Sequence, residues 1–248
     1  MKKKVILLGE KQLFFDCLKH VLKEKNVKLL GICLPKRDQN YWWKNQDLIK
    51  FINKKKIKKI KSFNIPKHKP DIIISVLFPK ILNKTIIKSS KLAINLHQAP
   101  LPNYGGCNGA SHAIINGDKK FGSTLHILSE KLDSGEIIDQ KFFKIRKKIT
   151  AKELYLQNDR VALKMFKLNF KKILNGKFKT KKLNSKTKIY KRNSLKKIKQ
   201  IKISRLKKNI LNTIRGLEFY PHEPAFVIIN KVKVYLLTKP ELFRGKNN

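Results

Sequence analysis

With 248 residues, 41% of them hydrophobic and spread along the whole chain, the sequence can bury a sizeable core in one domain plus an appendage, which excludes an intrinsically disordered chain. Fifty-nine basic residues against 16 acidic ones give a formal net charge of +43, but only seven of the basic residues are arginine. The charge therefore fits a lysine-rich coding bias at least as well as a nucleic-acid-binding face, and it discriminates poorly. The sequence contains no apolar run of 18 residues, so no transmembrane helix is expected, and Cys17, Cys33 and Cys107 are odd in number without metal spacing. These features predict a cytoplasmic protein that binds no metal.

The elements follow in chain order. The opening Met1-Lys2-Lys3-Lys4 and the apolar Val5-Ile6-Leu7-Leu8 resemble a secretion signal, but the run is too short and leads into Glu10-Lys11-Gln12. Residues 5–9 are read instead as a buried strand entering a turn. Residues 13–25 set Phe14, Leu18, Val21 and Leu22 at helical spacing, residues 27–34 form a second strand, and 40–55 form a helix with Trp42 and Trp43 in its packing. Residues 58–63 are a short strand. Residues 71–78 are almost continuously apolar, as a central parallel strand requires, and Pro79 suits the first turn of a short helix.

Residues 91–97 are another strand, stopped by Pro100 and Pro102, and 107–116 are a helix over the site. Strands at 122–128 and 136–145 flank a turn at Asp133, and 150–174 form a long amphipathic helix. Residues 175–208 are basic and poor in apolar clusters, a linker or exposed appendage. Residues 210–237 regain order as a helix, a turn around Tyr220-Pro221 and a hairpin about Asn230-Lys231. This order predicts an α/β fold: a Rossmann-like, mostly parallel sheet with flanking helices, plus a small C-terminal appendage with a β-hairpin. The glycine fingerprint of dinucleotide folds is missing after the first strand, where only Gly9 appears, so NAD binding is not expected.

Chemistry concentrates at the end of the 91–97 strand. Asn95 and His97, two apart, point to one face, where open α/β sheets place their ligand sites. About 36 residues later Asp133 sits in Leu132-Asp133-Ser134-Gly135. An imidazole can accept a proton near neutral pH, an amide N–H can hydrogen-bond a developing oxyanion, and a carboxylate can orient and stabilise the imidazolium. Together they suit acyl transfer without a covalent nucleophile. Cys107 lies nearby and is read as a small packing residue.

Asn95-Leu96-His97, Pro100-Leu101-Pro102-Asn103-Tyr104-Gly105-Gly106, Ala113-Ile114-Ile115-Asn116-Gly117, Gly122-Ser123-Thr124-Leu125-His126 and Leu132-Asp133-Ser134-Gly135-Glu136-Ile137-Ile138 follow one another in order. The chain thereby resembles the folate-dependent formyltransferase family, which includes methionyl-tRNA formyltransferase and the sugar N-formyltransferases. The resemblance is closest over residues 92–145. It departs from the family at Gly105, where the family usually reads Tyr-Arg-Gly.

The resemblance implies N10-formyltetrahydrofolate as formyl donor and a primary amine as acceptor. It makes Asn95, His97 and Asp133 the catalytic residues and lines the folate pocket with Leu77, Phe78, Leu82, Leu128 and Leu132. It further implies a catalytic domain over residues 1–175, after which composition predicts a linker-like segment over 176–208 and a small subdomain over 209–248. The tRNA enzymes of the family carry a full C-terminal barrel, and only 73 residues follow Asn175 here. The expected acceptor is therefore a nucleotide-linked amino sugar, with Tyr104 and Tyr220 as platforms for its base or sugar. Initiator tRNA is the alternative. A formyl-folate hydrolase and a non-catalytic basic RNA-binding module are further ones, no membrane partner is expected, and a homodimer is left open.

Overall fold

The computed structural model describes residues 1–35, 46–202 and 209–239. Its centre is a six-stranded sheet built from β1 (Lys3–Gly9), β2 (Val27–Cys33), β3 (Ile72–Val76), β4 (Leu92–His97), β6 (Lys120–Ile127) and β7 (Ile137–Lys144) in the order β2-β1-β3-β4-β6-β7. The first four strands are parallel, β6 runs antiparallel to β4, and β7, antiparallel to β6, returns to the direction of the first four. The strand order reverses at β1, so the switch point and the exits of β3 and β4 open on one end of the sheet.

Alternation along each strand divides the core between two faces. Val5 and Leu7 of β1, with Ile72 and Ile74 of β3, join α1 (Gln12–Lys23) and α5 (Ala151–Leu174) through Phe14, Leu18, Phe166 and Phe170. Ile6, Leu8 and Ile73 point the other way, to Ile60, Ile65, Leu82 and Ile86. Both faces of the central strands are covered, which is why their sequences are continuously apolar. Helix α5 starts at a capping box: Glu153 N–H donates to Thr150 Oγ1 at 3.4 Å and Thr150 N–H donates to Glu153 Oε2 at 2.8 Å. The C-terminal part adds α6 (Ile210–Leu217), packed on α4 (Gly109–Ile115), and a hairpin of β9 (Ala225–Ile229) and β10 (Val232–Leu236). The α/β sheet and the terminal hairpin are thus as expected.

Several local expectations give way to non-local contacts. The strand expected at 58–63 is reduced to one bridge between Lys59 and Ile32, because Ser62–His68 coils into a 3-10 segment that ends at left-handed Lys69 and leaves the β2 edge. Pro79 does not open a helix. The short α3 (Lys84–Lys88) begins five residues later, where Asn83 Oδ1 accepts the Ile86 N–H at 2.9 Å. The helix expected at 40–55 is described only as α2 (Gln46–Lys54), and Trp42 and Trp43 lie outside the described residues.

The segment after α5, expected as an exposed linker, packs against the sheet. Ile137 and Lys181 exchange backbone hydrogen bonds at 2.8 Å, and β8 (Ile189–Tyr190) pairs in parallel with β5 (Gly105–Gly106). Tyr190 then stacks on His112 with ring centroids 3.9 Å apart. Lysine-rich composition hid these contacts, since they use backbone groups and a few isolated apolar side chains.

Candidate active site

The antiparallel pairing of β4 with β6 sets Asn95 directly opposite His126, and His97 opposite Thr124. Asn95 Nδ2 lies 3.2 Å from His126 Nε2. The other ring nitrogen, Nδ1, is 2.9 Å from the Ile127 carbonyl, which can only accept. The hydrogen of His126 is therefore assigned to Nδ1, leaving Nε2 to accept from the Asn95 amide. This fixes which end of Asn95 is NH2 and leaves its second N–H for a ligand.

His97 is oriented in the same way. Its Nε2 donates to the Tyr104 carbonyl at 2.7 Å, so the nitrogen able to take up a proton is Nδ1. Nδ1 faces Asp133 Oδ2 at 3.7 Å. The loop carrying that carbonyl is braced by Thr124: its hydroxyl donates to Ala99 O at 2.9 Å and accepts the Leu101 N–H at 3.0 Å. Gln140 Nε2 adds a bond to Leu101 O at 2.7 Å. Behind His97, the fully buried Asn158 donates to Gln98 O and Gly122 O, both at 3.0 Å, and accepts from Ser123 at 2.8 Å.

Asp133 enters from the turn between β6 and β7 with a left-handed backbone (φ 49°) and is only 6% exposed. Its Oδ2 accepts the Gly106 N–H at 2.8 Å, and its Oδ1 is 3.6 Å from His126 Nε2. Burial pushes the carboxyl pKa up. The opposing pull of His97, with the hydrogen bond from the Gly106 N–H, outweighs burial and holds it well below the ordinary carboxylate range. Asp133 is a fixed anion beside His97 Nδ1.

The structure brings His97 and Asp133 to 3.7 Å, well inside the roughly 7 Å that a water-bridged or rotating pair would tolerate, and joins Asn95 to them through His126. Phe78, Leu82 and Leu128 share one apolar cluster below the sheet. Leu77, with φ 56°, packs on the opposite face, and Leu132 is 39% exposed on the Asp133 loop. Tyr104 is not a surface platform. The residue is 4% exposed, and its hydroxyl donates to Asp118 at 2.6 Å and accepts from Asn116 at 2.9 Å. What Tyr104 contributes is its carbonyl. Tyr220 is 38% exposed, with Lys152 Nζ 5.2 Å from its ring centroid. A separate groove of about 500 Å³ runs between β7 and residues 179–184, past Leu101 and Pro102, and contains none of the triad.

Two residues escaped the sequence reading. His126 stands in one of the motif segments, but its role depends on the register of β4 against β6. Thr187 lies in the segment expected as a linker, yet its hydroxyl donates to the Asp133 carbonyl at 2.9 Å in a buried setting.

Residues 16–167 match the family model described as formyl transferase, and the chain belongs to that family. A stretch of 92 residues, 37% of the chain, is 46% identical to 14% of the bifunctional polymyxin resistance protein ArnA of Wigglesworthia glossinidia brevipalpis. Over 92% of the chain it is 28% identical to 77% of the methionyl-tRNA formyltransferase of Clostridioides difficile. Among solved structures it resembles the N-formyltransferase of Helicobacter canadensis in complex with folinic acid and dTDP-3-aminofucose. There the TM-score is 0.78 and the identity 25%, over 94% of this chain and 86% of that one.

Proposed function

We propose that this chain transfers the formyl group of N10-formyltetrahydrofolate to the primary amine of a nucleotide-linked amino sugar. The observation that carries the reading is the convergence of Asn95, His97 and Asp133, the first two with their hydrogens directed by defined neighbours and the third an anion held by the Gly106 N–H. The donor, when bound, supplies an activated formyl carbon and a good leaving nitrogen. Residues 77–82 form neither helix nor strand and so leave peptide donors and acceptors for the polar edge of a pterin, beside apolar Phe78, Leu82 and Leu128.

Each residue then has one task. Asn95 offers its free amide N–H to the formyl oxygen, where negative charge grows as the amine attacks. His97 Nδ1 takes the proton that the amine loses, and Asp133, 3.7 Å away, stabilises the imidazolium. By returning that proton to the departing folate nitrogen, His97 completes the exchange: one carbon–nitrogen bond has formed to the acceptor and one has broken to the donor. Tyr104 O stays bonded to Nε2 throughout and keeps the ring from turning.

The sugar acceptor is supported by the Helicobacter canadensis likeness, which extends over nearly the whole chain. The second reading, initiator tRNA, is favoured by the likeness to the Clostridioides difficile enzyme over 92% of this chain and 77% of that one, and by the +43 charge. A panel of amines with formyl-folate, followed by the absorbance of released folate, separates them. The expected result is rapid turnover with a dTDP- or UDP-linked amino sugar, little changed between about 50 and 200 mM salt, and tRNA association that collapses over that range. Formyl transfer to charged initiator tRNA alone would overturn the sugar assignment.

A further inference from the structure

We propose that residues 187–190 form a strap that sets the His97–Asp133 pair, with Thr187 as a positioning residue for Asp133 and Gly105 as the opening that admits it. The inference rests on the reading of Asn95, His97 and Asp133 as the reacting groups.

Both anchors of the pair lie within three residues of one loop. His97 is held by the carbonyl of Tyr104, and Asp133 by the N–H of Gly106. That loop is in turn held by the strap. Gly105 N–H donates to Lys188 O at 2.9 Å, Cys107 N–H to Tyr190 O at 2.8 Å, and Lys188 N–H to Pro102 O at 2.8 Å. From the other side, the Thr187 hydroxyl reaches the Asp133 carbonyl at 2.9 Å. The strap therefore grips the backbone of the aspartate and the loop that orients both side chains. Asp133 has a left-handed backbone, which aspartate tolerates better than most residues, and the grip fixes it at the site.

Gly105 makes room for this contact. A Cβ at that position would stand 2.5 Å from Thr187 Cγ2 and 2.7 Å from Ile189 Cδ1. Ile189 is 43% exposed and its tip can turn away into solvent. Thr187 cannot yield at no cost. Its methyl and hydroxyl share one carbon, so rotating the methyl away carries the hydroxyl off the Asp133 carbonyl. The arginine usual in the family at this position and the Thr187–Asp133 bond thus exclude one another in this chain. Restoring the family residue should damage this enzyme.

The test uses steady-state formyl transfer by the full chain, with kcat and the KM for donor and amine measured separately. Thr187→Val keeps the shape and removes the hydroxyl. It should lower kcat about fivefold, as loss of one buried hydrogen bond predicts, with both KM values within about twofold of normal. Thr187→Ser should retain kcat. Gly105→Ala should lower kcat to a similar degree, and Gly105→Arg further. In the double variant Gly105→Ala with Thr187→Ser, the methyl that the new Cβ meets is gone, and kcat should return to within about twofold of Thr187→Ser alone. Unchanged kcat in a folded Thr187→Val protein, or no recovery in the double variant, would overturn the strap. So would a lowered Tm with normal kcat, which would make the segment scaffold only. His97→Ala serves as the control: if it too kept its turnover, the reading of the reacting groups would fall, and that outcome is distinct from failure of the strap alone.

Discussion

Replacing Asp133 by asparagine removes one charge at nearly constant shape, and the structure dictates how the amide would settle. The position of Oδ2 receives the Gly106 N–H at 2.8 Å, so it must keep an acceptor oxygen. The new NH2 is then forced into the position of Oδ1, 3.6 Å from His126 Nε2. There it competes with Asn95 for that nitrogen, which Asn95 Nδ2 now approaches at 3.2 Å. One substitution thus removes the anion facing His97 and loosens the oxyanion donor. The charge alone, at 3.7 Å and an effective dielectric of about 20, is worth about 4 kcal/mol to the imidazolium, a ceiling of about 10³ in rate. Water reaching the 11% exposed His97 side chain reduces that, so a fall in kcat of about 10²-fold to 10³-fold is expected. Single-turnover formyl transfer measures it, together with His97→Ala and the double variant. Because the two residues act as a unit, the double variant should lose little more than His97→Ala alone. Full additivity, or an Asp133→Asn enzyme within threefold of normal, would refute the pairing.

Three further outcomes follow from the same geometry. His126→Met removes the acceptor that orients the Asn95 amide and should lower kcat about tenfold with KM little changed, read by steady-state kinetics on a protein of unchanged melting temperature. Asn158→Leu strands Gln98 O, Gly122 O and the Ser123 hydroxyl in a buried position and should cost about 3–5 kcal/mol in urea unfolding; a loss below about 1 kcal/mol would show that these groups find other partners. Burial, assisted by Asp16 and opposed by Lys11, raises the Asp159 carboxyl to about 7. Between the ordinary carboxylate range and that value the folded chain holds a proton the unfolded chain has lost, so stability falls as pH rises through this window. Asp159→Asn keeps an oxygen for Gln98 Nε2 and should raise the melting temperature at pH 8 by about 3 °C or more relative to pH 5; an equal change at both pH values would contradict the shift.

What the sequence determined by itself is local. The continuous apolar runs of β1 and β3, short and rich in isoleucine and valine, favour strands covered on both faces. The two-residue spacing of Asn95 and His97 puts both at one strand exit, and Thr150 with Glu153 marks the start of α5. Tertiary structure alone decided who meets whom. The register of β4 against β6 makes His126 the partner of Asn95, and nothing within either strand encodes that offset. Tyr104 looked like a ligand platform, but Asp118 and Asn116 draw its ring inward and only its carbonyl serves the site. Residues 58–63 could have extended the sheet, yet the 3-10 segment Ser62–His68 takes the chain off its edge after one bridge. The basic stretch after α5 has no periodicity to read, because its grip on Asp133 runs through backbone groups and a single threonine hydroxyl. Periodicity and spacing report which way a side chain points along its own element, whereas partners, register and burial depend on residues far apart in the chain that only the packed sheet brings together.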